Sequence, residues 1–419
     1  MIRGLTLNIL KKDNRFYLIS MLSALVLCVL WVVFVKTVPY SDFNYYYDLA
    51  KKIADGGSFG DTYTSVGYSI ILGFIFSIFG KSIIVGEIFN LILTAIIYLL
   101  MYNLLKKINL SETRKKIIFT IFIFFPTNIF YNSIIGVEIL FTMLLLLITN
   151  IYFSNNKFKY VFIGILAGVE NMIKPFFIVF FFALFLVEII IDKKLLKPMV
   201  NSLIVLILTC VVTAPMVYRN TKLVGQFTYV SNNNGIVLYI NNNSQNTKGR
   251  WMAAADVENS IVSTNKYKEA NMTQKNKMLS AAAKKWIKNH PKQFLILGFK
   301  RLFNTYFVGD DILFTYNQAG LDNAIQIILL IYTNIVRNII FVPGIIAIIL
   351  FSIKVIKMLL NRKGNEIDRF SLYAVVIFYM FTSMYFITEG QGRYAFPFIF
   401  IVIYFFCSWR NTLKIRAKH

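Results

Sequence analysis

Residues Tyr17 to Val38 are almost wholly apolar, and runs of this kind recur along nearly the whole chain. About 20 apolar residues in a helix span the ~30 Å hydrocarbon core of a bilayer. A chain that is 57% hydrophobic and only 15% charged lacks the polar surface to hide so many runs in a water-soluble core. The fold class read from this pattern is all-α and polytopic, because a helix satisfies its own backbone in lipid. The first run is too long for a signal-peptide core and no small-residue cleavage site follows it, so it is expected to stay as an anchor.

The pattern predicts about ten transmembrane helices, near 17–38, 83–105, 117–133, 136–153, 160–173, 175–191, 199–217, 330–353, 371–388 and 396–409. The net charge of +24 gathers largely in short segments between runs, as the positive-inside bias requires, so it is a topology signal and not a nucleic-acid footprint. Basic residues at Arg3, Lys11, Lys12 and Arg15, and again in the tail "WRNTLKIRAKH", predict both termini in the cytoplasm of a multi-pass cell-membrane protein. Three regions follow. Residues 1–218 form an N-terminal transmembrane module with a first outer loop at 39–82. Residues 219–324 form an extracytoplasmic region, and 325–419 carry the C-terminal helices. Two apolar pieces read as interfacial helices: "GYSIILGFIFSIFG" (67–80), too short to span, and the amphipathic "KQFLILGFKRLFNTYF" (292–307). The stretch "GQFTYVSNNNGIVLYINNNSQ" reads as a hairpin. Heavy use of Ile, Asn, Lys and Phe points to an AT-rich bacterial genome.

The three cysteines all lie in apolar runs and there are only two histidines, which excludes a disulfide framework and a Cys- or His-based metal centre. No phosphate-binding GxxxxGK[ST] or GxGxxG pattern is present, so nothing points to a nucleotide. No cofactor is expected, although a divalent metal stays open. "GDD" at 309–311 reads as a cap in an exposed turn, or as a metal-binding acidic pair. The asparagine-rich stretch either binds sugar through its amides or turns the chain.

The stretch "TVPYSDFNYYYDLAKKIADGG" (37–57) reads as a short helix at the membrane surface, starting near Ser41. At 100° per residue, Phe43, Tyr46, Tyr47, Ala50, Ile53 and Ala54 share a face, while Asp48, Lys51, Lys52 and Asp55 fall opposite. Asp42 stands at the edge of the apolar face, beside Ser41. It fits a general base near the membrane plane, or a carboxylate complementing the helix dipole. Glu138 begins the fourth span, where an acid is costly without work or a partner. Lys174 lies in the outer turn "NMIKPF" and Arg393 in the outer loop "TEGQGRYAFP", beside Tyr394. Each singly reads as an interfacial anchor or an ion-pair partner. Together they offer two acids and two cations on one side of the membrane. Two cations can hold a phosphate, and an acid can deprotonate a hydroxyl. Glu170 fits an ion pair with Lys174.

The ordered pieces "PYSDFNYYYDLAKKIADGG", "VGYSIILGFIFSIFGKS", "GVEILF", "LAGVENMIKP", "SNNNGIVLYINNNSQNTKGRW", "AAAKKWIKNHPKQFL" and "GQGRYAFPFIF" cover almost the whole chain. In this order the chain resembles the type-C (GT-C) glycosyltransferases, in particular bacterial members related to protein O-mannosyltransferases and the lipid A aminoarabinose transferase. The resemblance implies an enzyme that moves a sugar from a polyprenyl-phosphate donor to an acceptor hydroxyl, with inversion. It matches Asp42 to the first-loop catalytic acid and Glu138 to a second acid. It matches Lys174 and Arg393, with Tyr394 completing the "RY", to positions that hold the lipid phosphate. The chain departs from the mannosyltransferases in having a lone Asp in place of Asp-Glu and "VGYS" in place of a proline-rich form. Its expected partners are the lipid-linked sugar, a glycan, lipid or protein acceptor and the bilayer, without nucleic acid. Two rival readings are a polysaccharide polymerase or ligase and a lipid-linked-sugar flippase. The flippase would thread charge through the middle of several spans.

Overall fold

A computed structural model describes residues 14–413. The basic residues Arg3, Lys11 and Lys12 and the end of the C-terminal tail lie outside the described residues. In chain order the helices are α1 (Arg15–Phe34), α2 (Asp42–Ala54), α3 (Gly67–Phe79), α4 (Ile83–Lys107), α5 (Glu112–Ile123), α6 (Pro126–Phe130), α7 (Val137–Tyr152) and α8 (Lys159–Ile173). There follow α9 (Phe180–Asp192), α10 (Leu196–Val224), α11 (Asn234–Asn241), α12 (Asn265–Glu269), α13 (Met272–Asn289), α14 (Pro291–Tyr306), α15 (Asn323–Leu360), α16 (Arg369–Ile387) and α17 (Ile399–Leu413).

Every predicted run falls on helix. Seven segments among the described residues are long and apolar enough to cross a membrane: α1, α4, Pro175–Asp192, α10, α15, α16 and Gly392–Trp409. The other three runs lie on α5 with α6, on α7 and on α8, which are shorter. The run at 117–133 is broken because Pro126 has no N–H to continue α5, and its fixed φ restarts a helix as α6. The chain is a multi-pass membrane protein. Its perimeter is apolar: Leu22, Val26 and Val33 on α1, Ile207 and Val211 on α10, and Ile328, Ile335, Ile339 and Ile346 on α15 all face outward. In water that surface would be unstable; in lipid it needs no cover. Inside the perimeter stand α7 and α17, buried along most of their length.

The two interfacial predictions also fall on helices, α3 and α14. The surface helix α2 carries Asp42 in its first turn and Lys51 and Lys52 in its last, each sign opposite to the local dipole. Phe43, Ala50 and Ile53 are buried, Tyr46, Tyr47 and Ala54 partly so, while Asp48 pairs with Lys51 on the open side. Gly73 of α3 lets the two helices meet closely: a Cβ there would sit 2.7 Å from Ile53 Cγ2 and 3.1 Å from the Ala50 carbonyl.

The hairpin predicted at 225–245 is not formed. Residues 234–241 are helix α11, and no strand occurs among the described residues. The asparagines serve the fold. Asn241 and Asn242 return their amides to the carbonyls of Val237 and Leu238 (2.9 and 2.8 Å), and Asn246 donates to the Arg250 carbonyl at 2.8 Å. Asn232 donates to Thr62 Oγ1 at 3.0 Å, tying this region to the segment before α3. A two-turn helix whose last turn is closed by asparagine side chains carries the same Asn and Gly punctuation as a turn, which is why the pattern misleads.

Candidate active site

Five separate stretches meet at one end of the bundle. Asp42 is the first residue of α2, and the chain enters it through Ser41 at φ 54°, a left-handed conformation that turns the backbone sharply into the helix. Glu138 stands in the first turn of α7. Lys174 caps the end of α8 in an extended conformation, and Asn171 holds the turn behind it by accepting from the Ile178 N–H at 3.0 Å. Arg393 and Tyr394 sit in the 3₁₀ turn Gly392–Phe398 that leads into α17. The region 219–324 reaches the group through Phe314, in the 3₁₀ stretch Asp310–Tyr316.

The predicted site residues are neighbours. Arg393 Nη2 donates to Asp42 Oδ2 at 2.6 Å; the arginine side chain is 10% exposed and the aspartate 52%. Arg393 Nε donates to Gln391 Oε1 at 2.7 Å, which leaves Nη1 without a hydrogen-bond partner among the described residues. The guanidinium carbon lies 5.2 Å from the centre of the Phe43 ring, 5.8 Å from that of Phe314 and 5.6 Å from that of Tyr394. Aromatic faces stabilise a cation that has lost its water. Lys174 Nζ stands 4.8 Å from the centre of the Tyr394 ring and donates to no protein acceptor among the described residues. Burial pushes the Lys174 ammonium below its ordinary range, partly offset by Glu138 nearby. Glu138 is 4% exposed, and its Oε2 has no hydrogen-bond partner among the described residues. The site thus presents a half-exposed carboxylate, a buried one with an idle oxygen, and two cations with unused donors.

Two residues in it were not predicted. Tyr394 Oη donates to Glu389 Oε2 at 2.8 Å, and Gln391 Nε2 donates to Glu389 Oε1 at 2.7 Å, so Glu389 holds the tyrosine and, through Gln391, the arginine. Both lie in the quoted loop "TEGQGRYAFP", and their closeness to Arg393 in sequence was the available signal. The ion pair expected between Glu170 and Lys174 is not formed. Glu170 is fully buried and neither carboxylate oxygen has a hydrogen-bond partner among the described residues; the Lys174 N–H donates to the Glu170 carbonyl at 2.7 Å, and the lysine charge acts on the carboxylate without a direct ion pair.

"GDD" is not an exposed cap. Asp311 is buried, 2.9 Å from Arg337 Nη1, and accepts from Tyr131 Oη at 2.6 Å, while Asp310 pairs with Arg250. Arg337 also donates to the carbonyls of Val308 and Gly392 at 2.7 and 2.8 Å. A Cβ at Gly392 would collide with Asp311 Oδ1, so only glycine lets the Arg393 turn close onto this pair. The buried pair thereby sets the position of the site's arginine. Among the described residues no group of three or more His, Cys, Asp or Glu is arranged to hold a metal ion.

The chain has the fold of the GT-C glycosyltransferases. Two solved structures of an archaeal oligosaccharyltransferase from Archaeoglobus fulgidus match it. One is AglB in complex with an inhibitory peptide and a dolichol-phosphate, with TM-score 0.51 and 10% identity over 95% of this chain and 50% of that one. The other is tethered to an acceptor peptide containing the NVT sequon, with TM-score 0.52 and 12% identity over 96% of this chain and 50% of that one. The chain thus spans about half the length of the structures it resembles. No protein-family model matches the sequence, and no curated protein does.

Proposed function

We propose that the protein is a membrane glycosyltransferase that moves a sugar from a polyprenyl phosphate to an acceptor hydroxyl. The observation that carries this reading is the meeting of Asp42 with Arg393, beside Lys174, in a fold shared with enzymes of lipid-linked sugars. One matched structure holds a dolichol-phosphate, a ligand of the chemistry proposed here. The motifs quoted above favour the bacterial group related to protein O-mannosyltransferases and the aminoarabinose transferase. The basic segments read from the sequence support a site on the outer face of a bacterial cell membrane, with both termini inside.

In this mechanism the acceptor oxygen attacks the anomeric carbon and gives its proton to Asp42. Asp42 Oδ2 is held by Arg393, and Oδ1, which makes no hydrogen bond among the described residues, is open to the hydroxyl. The bond from the anomeric carbon to the bridging phosphate oxygen breaks as the new one forms, on the opposite face, inverting the configuration. The electron pair leaves with the phosphate. Lys174 Nζ and Arg393 Nη1, the unused donors of the site, receive that charge where water is scarce, so each is worth more than at an open surface. Glu138 nearby partly offsets the burial that disfavours the charged lysine. Charge at the site lies at one end of the bundle, which favours one-sided chemistry over a path across the membrane.

Binding of the carrier tests this directly. Undecaprenyl phosphate added to purified protein should raise its unfolding temperature, as a ligand that binds only the folded state must. Lys174→Ala with Arg393→Ala should abolish that rise. An equal rise in the double variant would place the phosphate elsewhere.

A further inference from the structure

A cleft of about 300 Å³ opens beside the Asp42–Arg393 pair, lined among others by Tyr40, Arg250, Trp251, Asp310, Phe314 and Gln391. It adjoins the reaction site on two sides. Tyr40 precedes Asp42 by two residues, and Gln391 Oε1 holds Arg393 Nε. Trp251 is 67% exposed and Tyr40 36%, so the cleft offers uncovered aromatic surface. Trp251 shares this concavity with charged groups, whereas a tryptophan anchoring in lipid headgroups would face out from the bundle. Next to it, Arg250 and Asp310 pair with each other while a third of each side chain stays accessible. Their neighbour Asp311 is committed to Arg337 and Tyr131, which leaves Arg250 and Asp310 as the cleft's accessible charged edge.

This combination suits one chemical class. A saccharide ring has apolar C–H faces and a rim of hydroxyls that both donate and accept. A flat aromatic takes the face, a carboxylate accepts from one hydroxyl, and a guanidinium donates to the next. A peptide acceptor would look for main-chain partners along a sheet edge or a long groove. The described residues contain no strand, and the cleft sits at the small end of the range for small-molecule sites, about 300–1,000 Å³. We propose that this cleft is the acceptor subsite and that it takes carbohydrate, stacked on Trp251 and held by Arg250 and Asp310, with one hydroxyl presented to Asp42. The assignment rests on the transfer reading above.

The test is titration calorimetry on the full chain in detergent, without donor, using cellotriose, maltotriose, triacetylchitotriose and a short peptide containing Asn, Ser and Thr. At least one saccharide should bind saturably. Trp251→Ala should weaken it about tenfold or more, while Trp251→Phe keeps most of the affinity, because the ring and not the indole N–H is what stacks. Trp251 is exposed, so neither variant threatens the fold. Binding of the peptide alone, no binding of any saccharide, or unchanged affinity in Trp251→Ala would each overturn the assignment. Because donor is absent, Trp251-dependent saccharide binding supports the subsite even in a preparation that transfers nothing, a result that would count against the transfer reading instead.

Discussion

Arg393 and Asp42 stand 351 positions apart in sequence and 2.6 Å apart in space. That contact joins the last membrane-crossing segment to the surface helix near the start of the chain. It gives Asp42 a fixed orientation with one oxygen free. Asp42→Asn should therefore lower turnover by about a hundred- to ten-thousand-fold, the usual cost of removing a general base. Asp48→Asn, six residues on in the same helix but paired with Lys51 at an open surface, should change little. Initial rates with both variants, checked for folding by thermal unfolding, decide the point. Comparable rates for Asp42→Asn and wild type would remove the aspartate from the chemistry.

Arg393→Lys should be only partly tolerated. The arginine uses Nη2 and Nε on protein partners and leaves Nη1 without one among the described residues, a fork that a lysine ammonium cannot reproduce. Charge on the bridging oxygen grows as the bond breaks, so loss of Nη1 should reduce kcat as well as weaken donor binding. A rise in KM with kcat unchanged would mean that the arginine serves ground-state binding only.

Lys174 predicts an alkaline limb. Burial holds its pKa below that of an ordinary lysine, and a bound phosphate favours the charged form. Donor affinity should then be full while the free ammonium is protonated, and fall as pH rises through its depressed pKa. Lys174→Arg, which stays charged, should remove that limb. A pH profile of donor binding identical in wild type and Lys174→Arg would assign the limb to another group.

The Asp311–Arg337 pair makes a stability prediction. Both side chains are almost fully buried, at 5% and 3% exposure. Asp311→Ala strands a buried guanidinium and the Tyr131 hydroxyl, so it should cost about 3–5 kcal/mol. It should also loosen the Arg393 turn through Gly392. Thermal unfolding in detergent measures the first effect. A shift no larger than that of an exposed control such as Asp48→Ala would show that the pair does not hold this region.

Much of the fold was legible because membrane helices announce themselves locally. Each apolar run fell on helix, and the break at Pro126 follows from one residue. The segment 225–245 was misread because Asn and Gly punctuation serves a capped two-turn helix as well as a turn. Asp42, Glu138, Lys174, Arg393 and Tyr394 stand out in the sequence by position along the spans and by the family resemblance, and the structure brings them together. Their partners were invisible. Nothing local to "GDD" says that Arg337 and Tyr131 close over Asp311, and nothing near Glu170 says that Lys174 turns to Tyr394 instead. Pairings across hundreds of residues leave no periodic trace in a single sequence.

The basic segments between spans predict that the site faces outward. Cysteines placed at Asn234, in the region beside the site, and at Asn361, after α15, are both exposed. An impermeant thiol reagent applied to intact cells should label the first and spare the second. Labelling of both, or the reverse pattern, would contradict the orientation.

The most direct measurement is transfer itself. Purified protein in detergent is given a radiolabelled sugar on undecaprenyl phosphate, or the same sugar on a nucleotide, together with saccharide acceptors. The account predicts label in a new glycosidic bond from the lipid-linked donor alone, lost in Asp42→Asn. Transfer from the nucleotide sugar without a lipid carrier would contradict it. So would passage of the lipid-linked sugar across liposomes with no new bond.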